Sequence, residues 1–109
     1  MRVTFWSAYG STALIVEHAG RKLCHVTHHP HDSAEADAAL AAVAAAADLL
    51  IFPGSWQHGL ALKQQAGATL LALAVAEGAN GQAPEAAAEA AARKSPNVFF
   101  VRKKMSLDL

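Results

Sequence analysis

The first third of the chain has the hydrophobic pattern of β-strands. Residues 3–6 are mostly β-branched or aromatic, and the small residues at 7–11 predict a loop after this strand. Two further apolar runs, Thr12–His18 and Lys22–Thr27, flank Gly20, which can adopt a positive φ without steric cost. These runs predict a β-hairpin, because a helix would have to accept β-branched neighbours and a central glycine.

Three stretches beyond the hairpin, the first and third of them rich in alanine, have the start and stop signals of helices. They are residues 33–47, 56–65 and 84–94. Asp32 is the predicted N-cap of the first helix, with Glu35 three residues further on. Ser55 caps the second helix, Gly67 ends it, and Pro84 takes the first position of the third.

Short apolar runs around these helices predict further strands. They are residues 49–52, 68–75, 98–101 and 105–107. The predicted fold class is α/β, with a single mixed β-sheet and about three helices. Apolar side chains occupy both faces of the strands: Leu14 and Val16 lie on one face, and Ala13 and Ile15 lie on the other. Because the helices can cover only one face, we expect a second copy of the chain to cover the other.

The composition is that of one domain spanning residues 1–109. Nine Lys and Arg residues balance nine Asp and Glu residues, which argues against binding to nucleic acid or an anionic membrane. The longest apolar stretch, 66–76, is too short to span a bilayer, and residues 1–15 lack the pattern of a signal peptide. We therefore expect a cytoplasmic protein with no nucleic-acid or membrane partner.

Several runs of the sequence resemble the second half of metallo-β-lactamase-fold hydrolases. The runs are Gly10–Arg21, Ala47–Ile51, Ser55-Trp56, Leu60–Ala68, Pro96–Val98 and Met105–Leu109. Proteins of that superfamily consist of two similar halves packed as an αββα sandwich. The resemblance implies that this chain is half of such a sandwich, completed by dimerisation.

The resemblance also implies that the hydrolytic centre of the superfamily has been lost. The metal-binding His-x-His-x-Asp-His loop of the superfamily is absent from the sequence. His28 stands where the superfamily has its bridging aspartate, and residues 75–77 replace the segment of its final histidine. The chain is therefore predicted to be a catalytically degenerate half domain that acts as a homodimeric interaction or assembly module.

A histidine-rich segment supports an alternative function. Four of the six histidines lie within seven positions, at His25, His28, His29 and His31. Imidazole is a good ligand for zinc, nickel and copper. The alternative is a metal-dependent hydrolase or metal-binding protein that uses the loop His28–Asp32, with His28, His29 and His31 as ligands of a divalent metal such as zinc. A solvated polar loop explains the same spacing without a metal.

A second alternative is a flavodoxin-like FMN-binding protein. Residues 7–12 resemble the flavodoxin loop in which hydroxyl and amide groups surround the phosphate of FMN. The following segment is short and strand-like, however, where a flavodoxin needs a crossover helix.

The single cysteine, Cys24, is predicted to be a buried structural thiol. The adjacent His25 cannot easily activate it, because neighbouring residues of a strand point to opposite faces. With no second cysteine, the chain cannot form an internal disulfide.

Overall fold

The protein has an α/β fold with one mixed β-sheet, as seen in a computed structural model that describes residues 1–74 and 97–100. The strands are β1 (Arg2–Ala8), β2 (Ser11–His18), β3 (Arg21–His28), β4 (Leu49–Phe52), β5 (Leu70–Leu73) and β6 (Val98–Phe100). The described helices are α1 (Ala34–Val43) and α2 (Trp56–Ala66). The strands lie in the sheet in chain order, antiparallel from β1 to β3 and parallel from β3 to β6. The predicted single mixed sheet is confirmed.

Two-residue turns of positive φ join the first three strands. Tyr9 and Gly10 have φ values of 52° and 83°, and Ala19 and Gly20 have values of 50° and 78°. Such turns suit hairpins, because their twist matches that of the paired strands. The predicted hairpin between β2 and β3 is confirmed. The turn predicted at residues 7–11 is present but shorter than predicted: it consists of Tyr9 and Gly10, because β1 continues to Ala8 and β2 begins at Ser11.

Both described helices are capped by serines. Ser55 caps α2, and Gly67 ends it in the left-handed conformation with φ 72°, as predicted. For α1, the predicted cap Asp32 is wrong. The hydroxyl oxygen of Ser33 accepts a hydrogen bond from the amide of Ala36, the third helical residue, at 3.1 Å. Ser33 itself has an extended backbone, so the helix begins at Ala34, one residue later than predicted.

Helix α1 also ends earlier than predicted, at Val43 rather than at Ala47. The chain must leave the helix axis to enter β4, and Ala46 adopts a φ of 58° at this turn. The amide of Ala46 donates to the carbonyl of Ala66 at 3.0 Å, so the turn is tied to the end of α2. Tertiary packing thus overrides the helical preference of the alanines.

Helices α1 and α2 pack on the same face of the sheet. Crossovers between parallel strands are right-handed, so successive helices lie on one side when the strands are added in one direction. The helices and this face of the sheet share one core. Its larger buried side chains are Ile15, Cys24, Val26, Leu40, Leu50, Phe52, Leu60, Leu62, Leu71, Leu73 and Val98.

Two predicted elements, the helix at 84–94 and the strand at 105–107, lie outside the described residues. Within the described ranges, neither helix has the length and apolar character needed to cross a membrane.

Helix α2 approaches the sheet closely at Gly59. A Cβ atom on Gly59 would lie 2.8 Å from Cδ2 of Leu73 and 3.2 Å from Cδ2 of Phe52. Both of these side chains are buried in the core, where close packing leaves little room to move aside. The missing side chain at Gly59 therefore permits the observed distance between helix and sheet.

We expect Gly59→Ala to lower the free energy of unfolding by about 1 kcal/mol, measured by urea denaturation. Alanine improves helix propensity by about 1 kcal/mol, but overpacking a filled core costs about 1–3 kcal/mol. The control is Gln57→Ala in the same helix, where the side chain is exposed and the change should stay within about 0.5 kcal/mol. A Gly59→Ala variant more stable than the parent would show that the helix has room for a side chain.

Candidate functional site

Three side chains with possible ligand atoms converge beyond the carboxyl ends of β3 and β4. His29 directly follows β3, Asp37 lies in the first turn of α1, and His58 is the third residue of α2. Their ligand atoms lie within 4.8 Å of one another, the one such group of three among the residues that the structure describes. Ligands of α/β proteins commonly bind at this end of parallel strands.

The carboxylate of Asp37 joins the two imidazoles. Its Oδ1 atom lies 2.6 Å from Nε2 of His29 and 2.8 Å from Nε2 of His58. The His29 side chain is 1% exposed, whereas those of His58 and Asp37 are 19% and 29% exposed. The group is therefore closed on the side of His29 and open to solvent on the side of the other two residues.

A buried hydroxyl fixes the orientation of His29. The Oγ atom of Ser11 lies 2.8 Å from Nδ1 of His29, and it donates to the carbonyl of His28 at 3.3 Å. Because a serine hydroxyl has one proton, Oγ accepts from Nδ1–H of His29 when that proton goes to the carbonyl of His28, and donates to Nδ1 in the other tautomer. The other ring nitrogen of His29, Nε2, faces the carboxylate of Asp37.

Phe52 supports both imidazoles from the core side. The centroid of its ring lies 5.5 Å from that of His29 and 5.1 Å from that of His58, with the rings meeting edge to face. Phe52 is 1% exposed and belongs to the core. Both imidazoles therefore pack against the buried ring of Phe52, which is held in place by the core.

The surroundings of Asp37 keep its carboxylate ionised. Partial burial raises the pKa of Asp37, but the hydrogen bonds and positive charge of His29 and His58 outweigh this effect. The pKa of Asp37 consequently lies below its ordinary value. Asp37 is thus a negative ligand group at neutral pH.

Of the three predicted metal ligands, only His29 belongs to this group. His28 is the last residue of β3 and His31 lies in the following bend, and both are exposed. Asp37 and His58, which lie 21 residues apart in the chain, were not predicted from the sequence. Both residues lie near the start of a predicted helix. Helices that follow parallel strands begin near the carboxyl ends of those strands, so the sequence could have indicated that Asp37 and His58 lie close together.

The sheet face opposite the two helices, called here the open face, is apolar. The strand register places these residues on it: Val3, Phe5, Leu14, Val16, Leu23, His25, Leu49, Ile51, Leu70 and Ala72. Phe5 is 85% exposed and Val3 is 45% exposed. Leu49 and Ala72, on the inner strands, are buried, and the others are partly buried.

The segment that resembled a flavodoxin phosphate loop has a different conformation. Residues 7–12 form the end of the first hairpin, in which Ser7 pairs with Thr12 and Ala8 with Ser11. A hairpin offers no helix N-terminus to a phosphate group.

Cys24 is a buried thiol of the core, as predicted. Its side chain lies on the helix-covered face of β3, whereas the neighbouring His25 lies on the open face. Burial raises the pKa of Cys24 to about 11, although the positive charge of Lys22 lowers it.

Comparison with known protein families, curated proteins and solved structures found no significant match. The resemblance to metallo-β-lactamase-fold proteins therefore rests on the sequence pattern alone.

We expect Cys24 to resist alkylation by iodoacetamide at pH 8 in the native protein. A pKa of about 11 lowers the thiolate fraction on the order of a hundredfold relative to a free cysteine, and burial blocks access as well. Intact-mass spectrometry should show labelling only in the urea-unfolded control. Rapid stoichiometric labelling of the native chain would contradict the burial of this thiol.

We expect Asp37→Asn to lower the free energy of unfolding by about 1–3 kcal/mol at pH 7, because it removes the charged partner of a buried imidazole. The folded pKa of Asp37 is depressed, so its stabilisation is present above the ordinary value of about 4 and is lost as the pH falls through the folded value. Urea denaturation should therefore show a smaller difference from the parent at about pH 3.

The control for this measurement is Glu35→Gln, which alters an exposed carboxylate in the same helical turn. It should change stability by less than about 1 kcal/mol at either pH. An Asp37→Asn deficit that stays constant between the two pH values would contradict the role assigned to the Asp37 charge.

Proposed function

We propose that this chain is an assembly module that forms a homodimer by packing the open faces of two copies together. The observation that carries the proposal is the 85% exposure of Phe5 beside a continuous apolar sheet surface. Burying a side chain of this kind stabilises an assembly by about 1.5–3 kcal/mol. Large contiguous apolar surfaces on proteins mark interaction sites.

Neither of the described helices covers the open face. Both α1 and α2 pack in the core on the opposite face of the sheet. A sheet with two apolar faces needs cover on each of them. Two such sheets pack well against each other at about 10 Å, as in β-sandwiches, so a second copy supplies a cover of matching shape.

The chemistry of the open face suits burial against an identical face. The rows from Val3 to Leu70 and from Phe5 to Ala72 contain no Asp, Glu, Lys or Arg. His25 is the one polar side chain in these two rows. Pairing two copies therefore buries no unpaired carboxylate or ammonium group, the most expensive groups to remove from water.

Polar residues border the open face at both ends, as at the rim of many interfaces. Thr12 and Thr27 lie at one end, where their hydroxyl oxygens are 2.7 Å apart. His18 and Arg21 lie at the other end and are exposed.

The dimensions of the open face also fit a dimer. Neighbouring strands lie about 4.8 Å apart, and each residue extends a strand by about 3.3 Å. With the lengths of the six strands, the open face has an area on the order of 600 Å². A standard interface buries about 800 Å² on each partner. The area of the open face and its rim is therefore similar to the area that each partner buries in a specific dimer.

The sequence resemblance agrees with this proposal. In metallo-β-lactamase-fold proteins a second, similar half lies against the sheet, and this chain resembles one half only. A second copy would take that place. Because the hydrolytic ligand loop is absent from the sequence, the proposed role is assembly rather than the hydrolysis typical of the superfamily.

We expect sedimentation equilibrium to show a dimer of the parent chain and a shift towards monomer for Phe5→Glu. Introducing a carboxylate at the interface should weaken association by at least about tenfold, since one unpaired buried charge costs well over 1.4 kcal/mol. The monomer itself should stay folded, as Phe5 is exposed in it.

The matched control is Tyr9→Glu, an aromatic residue that is 66% exposed in the turn beyond β1 and lies outside the open face. It should leave the association constant unchanged. A parent chain that is strictly monomeric at high concentration, or an equal effect of both variants, would contradict the proposal.

A further inference from the structure

We propose that His29, Asp37 and His58 form a binding site for a divalent transition-metal ion of the zinc type. The ligand atoms are Nε2 of each histidine and Oδ1 of Asp37, all within 4.8 Å of one another. The site lies at the ends of β3 and β4 on the helix-covered side of the sheet. It is thus separate from the open face and does not depend on dimerisation.

The set of ligand atoms is suited to zinc. Zinc in proteins is bound by imidazole nitrogen and carboxylate oxygen, usually with four ligands in tetrahedral arrangement. Calcium and magnesium prefer oxygen ligands instead. Two imidazoles and one carboxylate leave a fourth position for water, and the exposure of His58 and Asp37 places that position towards solvent.

The hydrogen bonds around His29 present the correct atom to a metal. Ser11 Oγ lies 2.8 Å from Nδ1 of His29 and 3.3 Å from the carbonyl of His28, so the tautomer with Nδ1–H donating to Oγ leaves the hydroxyl proton for that carbonyl. In that tautomer Nε2 offers its lone pair to a metal, and it lies 2.6 Å from the carboxylate oxygen of Asp37. A metal ion between these two atoms would take the place of the proton that otherwise joins them.

The arrangement around His29 is also typical of metal-binding histidines. Such residues donate their other ring N–H to an oxygen atom, which fixes the tautomer and the ring orientation. Ser11 has this role here and is fully buried. The aromatic wall of Phe52 holds the rings of both histidines in place.

Metal binding requires movement of Asp37 and of the two imidazoles relative to each other. Ligand atoms at 2.0–2.1 Å from a tetrahedral zinc ion lie about 3.3 Å apart. The two nitrogen-to-oxygen distances are 2.6 and 2.8 Å, so Asp37 must move away by roughly half an ångström or slightly more, and the two histidine nitrogens, which lie within 4.8 Å of each other, must come to the same spacing. Asp37 and His58 are the two partly exposed side chains of the three, so they have more freedom to move than the buried His29.

The test is a titration of the full chain with Zn²⁺ in competition with a chromophoric chelator. We expect one zinc ion per chain, with a dissociation constant of about 1 µM or lower. Asp37→Asn and His58→Gln should each weaken binding by at least about a hundredfold, as each removes a ligand. Ser11→Ala should weaken it by about 10- to 100-fold, since the ligand stays but loses its orienting partner.

The matched controls are His28→Ala and His31→Ala, exposed histidines next to the site. Both should bind zinc as the parent does. Substituting Co²⁺ for zinc should give the intense visible absorption of a tetrahedral site in the parent and lose it in Asp37→Asn. Circular dichroism identifies any variant that fails to fold, and the other ligand variant then decides.

Two results would overturn the proposal. One is a parent chain that binds no zinc at micromolar concentration, which would show that a shared proton alone joins His29 to Asp37. The other is loss of binding in His28→Ala or His31→Ala together with retention in His58→Gln. That pattern would assign the metal to the exposed loop instead.

Discussion

The one-sided packing of the helices determines the rest of the structure. Successive parallel strands from β3 to β5 are joined by crossovers of one hand, so α1 and α2 lie on the same face of the sheet. This arrangement concentrates the core on that face and leaves the apolar open face without a helix in the described ranges. It also brings both helix starts to the carboxyl ends of the strands, where His29, Asp37 and His58 meet.

The core and the histidine cluster share one side chain, Phe52. Its ring contacts both imidazoles on one side, and it lies in the space that a side chain on Gly59 would enter on the other. The close approach of α2 and the geometry of the cluster are therefore coupled through packing. Because close-packed interiors transmit small displacements, changes at Gly59 are expected to reach His29 and His58 as well.

Elements with local signals could be predicted from the sequence, whereas contacts between distant residues could not. The Gly20 hairpin and α2, with its cap and terminal glycine, follow from backbone preferences of a few residues. The Asp32 cap was wrong because Ser33, one position away, offers an equivalent acceptor. Of the cluster only His29 was identified, since its partners join it through the packing of two helices. Those contacts depend on tertiary structure rather than on spacing.

The order of the strands has a consequence for how the chain acquires its fold. Every described strand lies beside its neighbour in the chain, so no strand must wait for a later segment to be inserted between itself and its partner. The two-residue turns of the meander β1–β3 close short loops, which costs little entropy and occurs quickly, whereas the crossovers to the parallel strands are longer. The sheet can therefore grow by addition at one edge as the polypeptide leaves the ribosome, with the antiparallel meander β1–β3 formed first.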